Sequence, residues 1–100
     1  MTMSPEVRAR LRAHFAGRLP ERLDDLERAR ACYESNREDY EAVRELRRIA
    51  HNIHGTAASF GFPELSVAGR KAELSDDAQL LPTTAALAEL IRETIAREPS

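Results

Sequence analysis

Between Val43 and Phe60 the apolar residues Val43, Leu46, Ala50, Ile53, Ala57 and Phe60 recur at alternating steps of three and four. That period places them on one stripe of a helix and on no single face of a strand. A stripe of this length must be buried against other secondary structure. The rest of the chain offers more helix for the purpose, because Ala, Leu, Glu and Arg abound while tryptophan is absent and only five residues are aromatic. Four glycines leave too few turns for a many-stranded sheet. The fold class is therefore all-α. With 100 residues, 42% apolar and 32% charged, the chain reads as one soluble globular domain spanning 1–100. It is too short for a barrel enzyme or a two-domain cleft, so any chemistry belongs on a surface.

The punctuation divides the remaining helices. Ser4 followed by Pro5 is a helix start, and Val7, Leu11, Phe15 and Leu19 follow at helical spacing until Pro20 breaks or kinks the run. Leu23, Leu26, Arg30 and Tyr33 form a second stripe that fades at Glu34, Ser35 and Asn36. The third helix is expected from about Arg37 to Phe60, and Gly61 stands where a left-handed residue would end it. Pro63 then opens a fourth helix reaching about Asp76, with Leu65, Ala68 and Ala72 inward. Leu80, Leu81 and Pro82 lead into a fifth carrying Leu87, Leu90, Ile91 and Thr94 on one face. An antiparallel up-and-down four-helix bundle with an additional N-terminal helix buries all of these stripes together.

A net charge of −2 provides no overall field for nucleic acid or anionic lipid. Cys32 has no partner for a disulfide or a cysteine zinc site. Met1 to Leu11 lacks the apolar core of a signal peptide, and no run approaches membrane-spanning length. A cytoplasmic monomer is expected, and Met1 with a complete set of helices fits a free-standing protein.

The third helix also has a wet face of unusual make-up. At about 100° per residue, His51 projects well away from the apolar sector, with Arg47 and Arg48 one turn before it. Gly55 and Ala58 lie one and two turns after it, and His54 sits at the sector's edge. Glycine inside a helix costs about 1 kcal/mol relative to alanine. At Gly55 that cost makes room for another macromolecule to reach the exposed imidazole. His14, Cys32, Tyr33, Tyr40 and the phenylalanines have simpler readings, the first two as solvent-exposed or structural and the aromatics as core or boundary.

The run from Ala50 through His51, His54, Gly55 and Thr56 to Gly61 and Phe62, followed by Leu65 and by Ala72-Glu73, resembles the histidine-containing phosphotransfer (HPt) domain of multistep phosphorelays. The resemblance implies a helical phosphocarrier, not an enzyme with its own substrate. Its His51 would take a phosphoryl group from the aspartyl phosphate of one receiver domain and pass it to another. Gly55 would clear the way for the receiver, which would also bring Mg²⁺, so that no cofactor is bound here. Where the family has a lysine three residues after the histidine, this chain has His54. Phosphoryl stabilisation then either varies with pH or falls to Arg47 and Arg48.

Other readings compete. Arg44, Arg47 and Arg48 can equally be a solvated face paired with Glu41 and Glu45. His51 and His54 as metal ligands lack matching Glu-x-x-His sets on facing helices, so no metal is expected. Arg70 and Lys71 on a second helix after Gly61 loosely suggest a helix-turn-helix, but Glu64, Glu73, Asp76 and Asp77 oppose DNA. A degenerate HPt-like interaction or dimerisation module without phosphotransfer is the remaining alternative.

Overall fold

The computed structural model describes residues 3–98, and Met1, on which the free-standing reading leaned, lies outside them. Five α-helices follow one another: α1 (Pro5–Gly17), α2 (Leu19–Ser35), α3 (Tyr40–Thr56), α4 (Pro63–Leu74) and α5 (Asp77–Arg97), with a 3₁₀ turn at Ala58–Phe60. Among the described residues there is no strand. Helices α2 to α5 each pack on the next and α5 closes back onto α2, while α1 lies against α2 and the 3₁₀ turn. The short connections from α2 through α5 reverse the chain each time, as the all-α bundle with a leading helix requires.

One core lies inside this ring. Leu26 and Tyr33 from α2, Leu46 and Ile53 from α3, Leu65 and Ala72 from α4, and Leu80, Leu87 and Ile91 from α5 are all buried in it. The buried threonines Thr84 and Thr94 are accommodated because their hydroxyls donate to the carbonyls of Leu80 and Leu90 one turn back, at 2.7 Å each. No described helix is long and apolar enough to cross a membrane.

The boundaries differ from the sequence reading in four places. The first break falls at Arg18 instead of Pro20, so Leu19 opens α2 and Pro20 sits in its first turn, where no backbone donor is lost. α3 begins at Tyr40, after Asp39 accepts a hydrogen bond from the Ala42 N–H at 3.0 Å. Its far end tightens into the 3₁₀ turn before Phe60, although the stripe survives, with Ala57 buried and Phe60 half-buried. α4 stops at Leu74, and α5 starts at Asp77 with Pro82 inside it. The capping carboxylate of Asp76 accepts from Gln79 N–H at 2.9 Å, which fixes that earlier start. Pro82 falls in the second turn, so its missing N–H removes just one helical hydrogen bond. Tyr40, expected at the core or its boundary, is exposed, because the first residue of α3 precedes the buried face.

At the α3–α4 reversal Gly61 takes φ 93°, the left-handed conformation expected of it, and Phe62 N–H bonds Ala57 O at 2.9 Å. Arg12 of α1 secures this turn from outside. It donates to Gly61 O at 2.8 Å, pairs with Glu98 at 2.9 Å and covers the Phe62 ring at 4.1 Å. Phe15 stacks with both Phe60 and Phe62. The leading helix therefore braces the end of the helix that carries His51.

Candidate functional site

Burial of Ala50 and Ile53 fixes the rotation of α3, and His51 between them is driven outward, with its side chain 65% exposed. Its ring is held from one side. Nδ1 lies 2.6 Å from Glu73 Oε2, in the last turn of α4. An ionised carboxylate only accepts, so the shared proton resides on Nδ1, and in the neutral ring Nε2 carries a lone pair directed away from the carboxylate. Glu73 is itself only 25% exposed, which holds the pair in one geometry. The arrangement orients the imidazole so that Nε2, when unprotonated, is an available nucleophile.

The same carboxylate faces the second histidine. His54 Nδ1 lies 3.4 Å from Glu73 Oε1, near enough for an ion pair when the ring is protonated. The geometry falls short of a hydrogen bond, and this Nδ1 is a buried polar atom without one. The backbone carbonyl of His54 is better served, since Ser66 Oγ of α4 donates to it at 2.7 Å.

Two glycines shape the surroundings in opposite ways. A Cβ at Gly69 of α4 would stand 2.9 Å from Ala50 O and from His54 N, so this glycine permits α4 to approach α3 closely enough for Glu73 to reach His51. Around Gly55 nothing lies within 4 Å of such a Cβ. Its missing side chain serves no packing and leaves the space next to His51 open. Gly55→Ala is accordingly expected to raise stability by up to about 1 kcal/mol through helix propensity alone, a rise of a few degrees in Tm measurable by thermal unfolding. A fall would reveal a contact at this position.

The arginines expected near His51 are engaged elsewhere. Arg47 donates to the α4 carbonyl of Glu73 at 2.9 Å, to Ser75 O at 2.7 Å and to Asp77 at 2.7 Å. It closes the C-terminal end of α4 and ties it to α5. Arg48 holds Glu45 with its Nε at 3.0 Å from Oε2. That hydrogen bond keeps the Glu45 carboxyl below its ordinary range and raises the Arg48 guanidinium in turn. Arg44 is paired with Glu41. As oriented here, Arg47 and Arg48 would have to release these partners to meet an anion at His51. Ala58 is exposed in the 3₁₀ turn, and His14 is exposed on α1.

Thus the structure brings together His51, His54 and the open Gly55 position, and adds three residues that sequence reasoning gave no role at the site: Glu73, Gly69 and Ser66. Gly69 had a signal, because a glycine within a helix is costly and asks for a close approach. Glu73 entered only as part of the Ala72-Glu73 pair in the family resemblance and Ser66 had no signal, since which α4 side chain meets His51 depends on the register between two helices. Among the described residues no three His, Cys, Asp or Glu side chains form a metal-binding group. A groove of about 670 Å³ lies away from His51, lined by Ala9, Arg12, Ala16 and Ile95 of α1 and α5 among others.

An exposed imidazole oriented by a carboxylate on a helical bundle is the setting in which the family comparison is to be weighed. The family model of the Hpt domain matches residues 10–98. The chain belongs to the Hpt-domain family. No curated protein and no solved structure matches it significantly. Hpt domains take part in phosphorelays as histidine phosphocarriers, acting with receiver domains. The match spans all five helices except residues 5–9 of α1.

Proposed function

We propose that this Hpt domain relays phosphoryl groups between receiver domains through His51. The observation that carries the reading is the 2.6 Å contact between His51 Nδ1 and Glu73. It supports Nε2 as the nucleophile. In the forward step the Nε2 lone pair forms a bond to phosphorus, the bond from phosphorus to the aspartyl oxygen of the receiver breaks, and the aspartate leaves as a carboxylate. The Nδ1 proton stays with the Glu73 pair, which offsets the positive charge that the ring acquires. The reverse sequence delivers the group to a second aspartate. Phosphoryl transfer asks chiefly for in-line positioning and neutralised oxygens. The receiver supplies Mg²⁺ for that purpose, and the open space at Gly55 admits it.

Incubating the chain with a phosphorylated receiver domain tests this. An acid-labile, alkali-stable phosphoryl group on the chain is expected. Absence of label across a panel of receivers overturns the reading and leaves an interaction module.

His54 gives the reaction a further expected property. An imidazole is charged only when protonated, whereas a lysine stays charged throughout the neutral range, so the charge at position 54 becomes permanent in His54→Lys. The variant is expected to flatten the dependence of transfer rate on pH between roughly 6 and 8. An identical profile in both proteins would remove His54 from the mechanism.

A further inference from the structure

Phosphorylation of His51 would set a dianionic group beside the Glu73 carboxylate, and nothing described so far supplies a permanent cation to meet it. Arg44, Arg47 and Arg48 are committed to Glu41, to the α4 terminus with Asp77, and to Glu45. His54 carries a full charge only when protonated. The remaining basic residues close to this region lie on α4, at Arg70 and Lys71. Both are exposed, and neither has an ion pair or side-chain hydrogen bond among the described residues.

The rotation of α4 separates these two. Gly69 faces α3 directly, since its Cβ position abuts Ala50 O and His54 N. At about 100° per residue, Glu73, Ser66 and Arg70 lie on one flank of that line, at roughly 40°, 60° and 100° from Gly69, whereas Lys71 lies at roughly 160° on the far side. The flank is the one that meets the two histidines. Ser66 donates to His54 O and Glu73 holds His51. Along the helix axis Arg70 falls between Ser66 and Glu73, and therefore level with the turn from His51 to His54. Its two neighbours in the row are already bonded to α3. Arg70 alone in that row is unpartnered, even though Glu73 stands three residues away, because that carboxylate is turned to His51.

We infer that Arg70 is the cation that binds the phosphoryl group on His51, taking over from α4 the charge that position 54 of α3 supplies only when protonated. A guanidinium suits this task, since it presents several fixed donors to a phosphate and remains charged at any working pH. The inference rests on the phosphocarrier reading above and makes Arg70 a residue in contact with the transferred group.

The test compares Arg70→Gln, Arg70→Lys and Lys71→Gln in the full chain, with a phosphorylated receiver as donor at mildly alkaline pH. Arg70→Gln is expected to slow transfer by about tenfold or more, the usual scale for losing a charge-assisted hydrogen bond. Arg70→Lys should recover part of the rate and Lys71→Gln should match the parent. A phosphorus NMR signal of the phosphorylated chain that shifts in Arg70→Gln and not in Lys71→Gln provides a readout independent of rate. Restoration of the Arg70→Gln rate by a second change, His54→Lys, would show that one charge serves from either helix. Equal slowing by Arg70→Gln and Lys71→Gln, or no slowing and no shift in Arg70→Gln, overturns the inference. A parent chain that takes no label at all counts against the phosphocarrier reading instead, so the two failures are distinguishable.

Discussion

In His51→Gln, label transferred from a phosphorylated receiver is expected to fall to background while the helical content and melting behaviour stay close to the parent's. The two halves of this result have different origins. Loss of label follows because glutamine has no lone-pair nitrogen that can attack phosphorus, and no other histidine stands in the same setting. His14 is exposed on α1 without a carboxylate, and His54 is half-buried with Nδ1 enclosed. Retention of the fold follows because the His51 side chain is mostly in water and contributes one hydrogen bond, to Glu73, at the surface. Substitutions at such positions ordinarily change stability by about 0.5 kcal/mol or less. Label retained in His51→Gln would relocate the phosphoacceptor, whereas loss of label with loss of helix would leave the assignment resting on the fold. A circular dichroism melt beside the transfer assay tells these apart.

How far His51 could be found without coordinates is a question of which interactions are local. The periodicity of α3 is local: the buried residues Leu46, Ala50 and Ile53 recur at steps that only a helix satisfies, and their burial dictates that His51 faces out. The openness at Gly55 was legible for the same reason, because its neighbours one turn away belong to its own helix. Helix ends were less legible because competing signals adjoin one another. Pro82 looks like a boundary, yet the Asp76 cap six residues upstream of it in effect starts the helix earlier, and proline near a helix start breaks little. Gly17 and Arg18 end α1 without any proline, and Pro20 marks the next helix instead.

Charge partners were the least legible part. Arg47 looked like a basic neighbour of His51 because the two are one turn apart on the same helix. Its guanidinium instead reaches across to the last carbonyls of α4 and to Asp77. Those acceptors exist only because α4 ends at Leu74, beside the outward side of α3, and no spacing within either helix encodes that meeting. The same contact between helices selects Glu73 from the several acidic residues of the chain as the partner of His51. What periodicity decides is which face is wet, and what the packing of α4 on α3 decides is which charges on that face are already spent.

That packing makes Gly69→Ala the second large effect to expect, with a loss of about 2 kcal/mol in stability and a fall of roughly 10 °C in Tm. In an unconstrained helix the same change would stabilise by about 1 kcal/mol, as expected at Gly55. The sign reverses here because the added methyl meets Ala50 O and His54 N at 2.9 Å. Both are backbone atoms, so no rotamer change relieves the overlap, and the two helices must part. Parting them loosens Leu65 and Ala72 from the core that they share with Ile53. It also lengthens the reach from Glu73 to His51, so transfer is expected to slow in the fraction that remains folded, while Gly55→Ala serves as the stability control that adds a methyl to α3 without a clash. Chemical denaturation of the two variants side by side checks the opposed signs. A Gly69→Ala protein as stable as the parent would mean that α4 can shift on α3 at little cost, and the Glu73 contact would then lack the rigid support assigned to it.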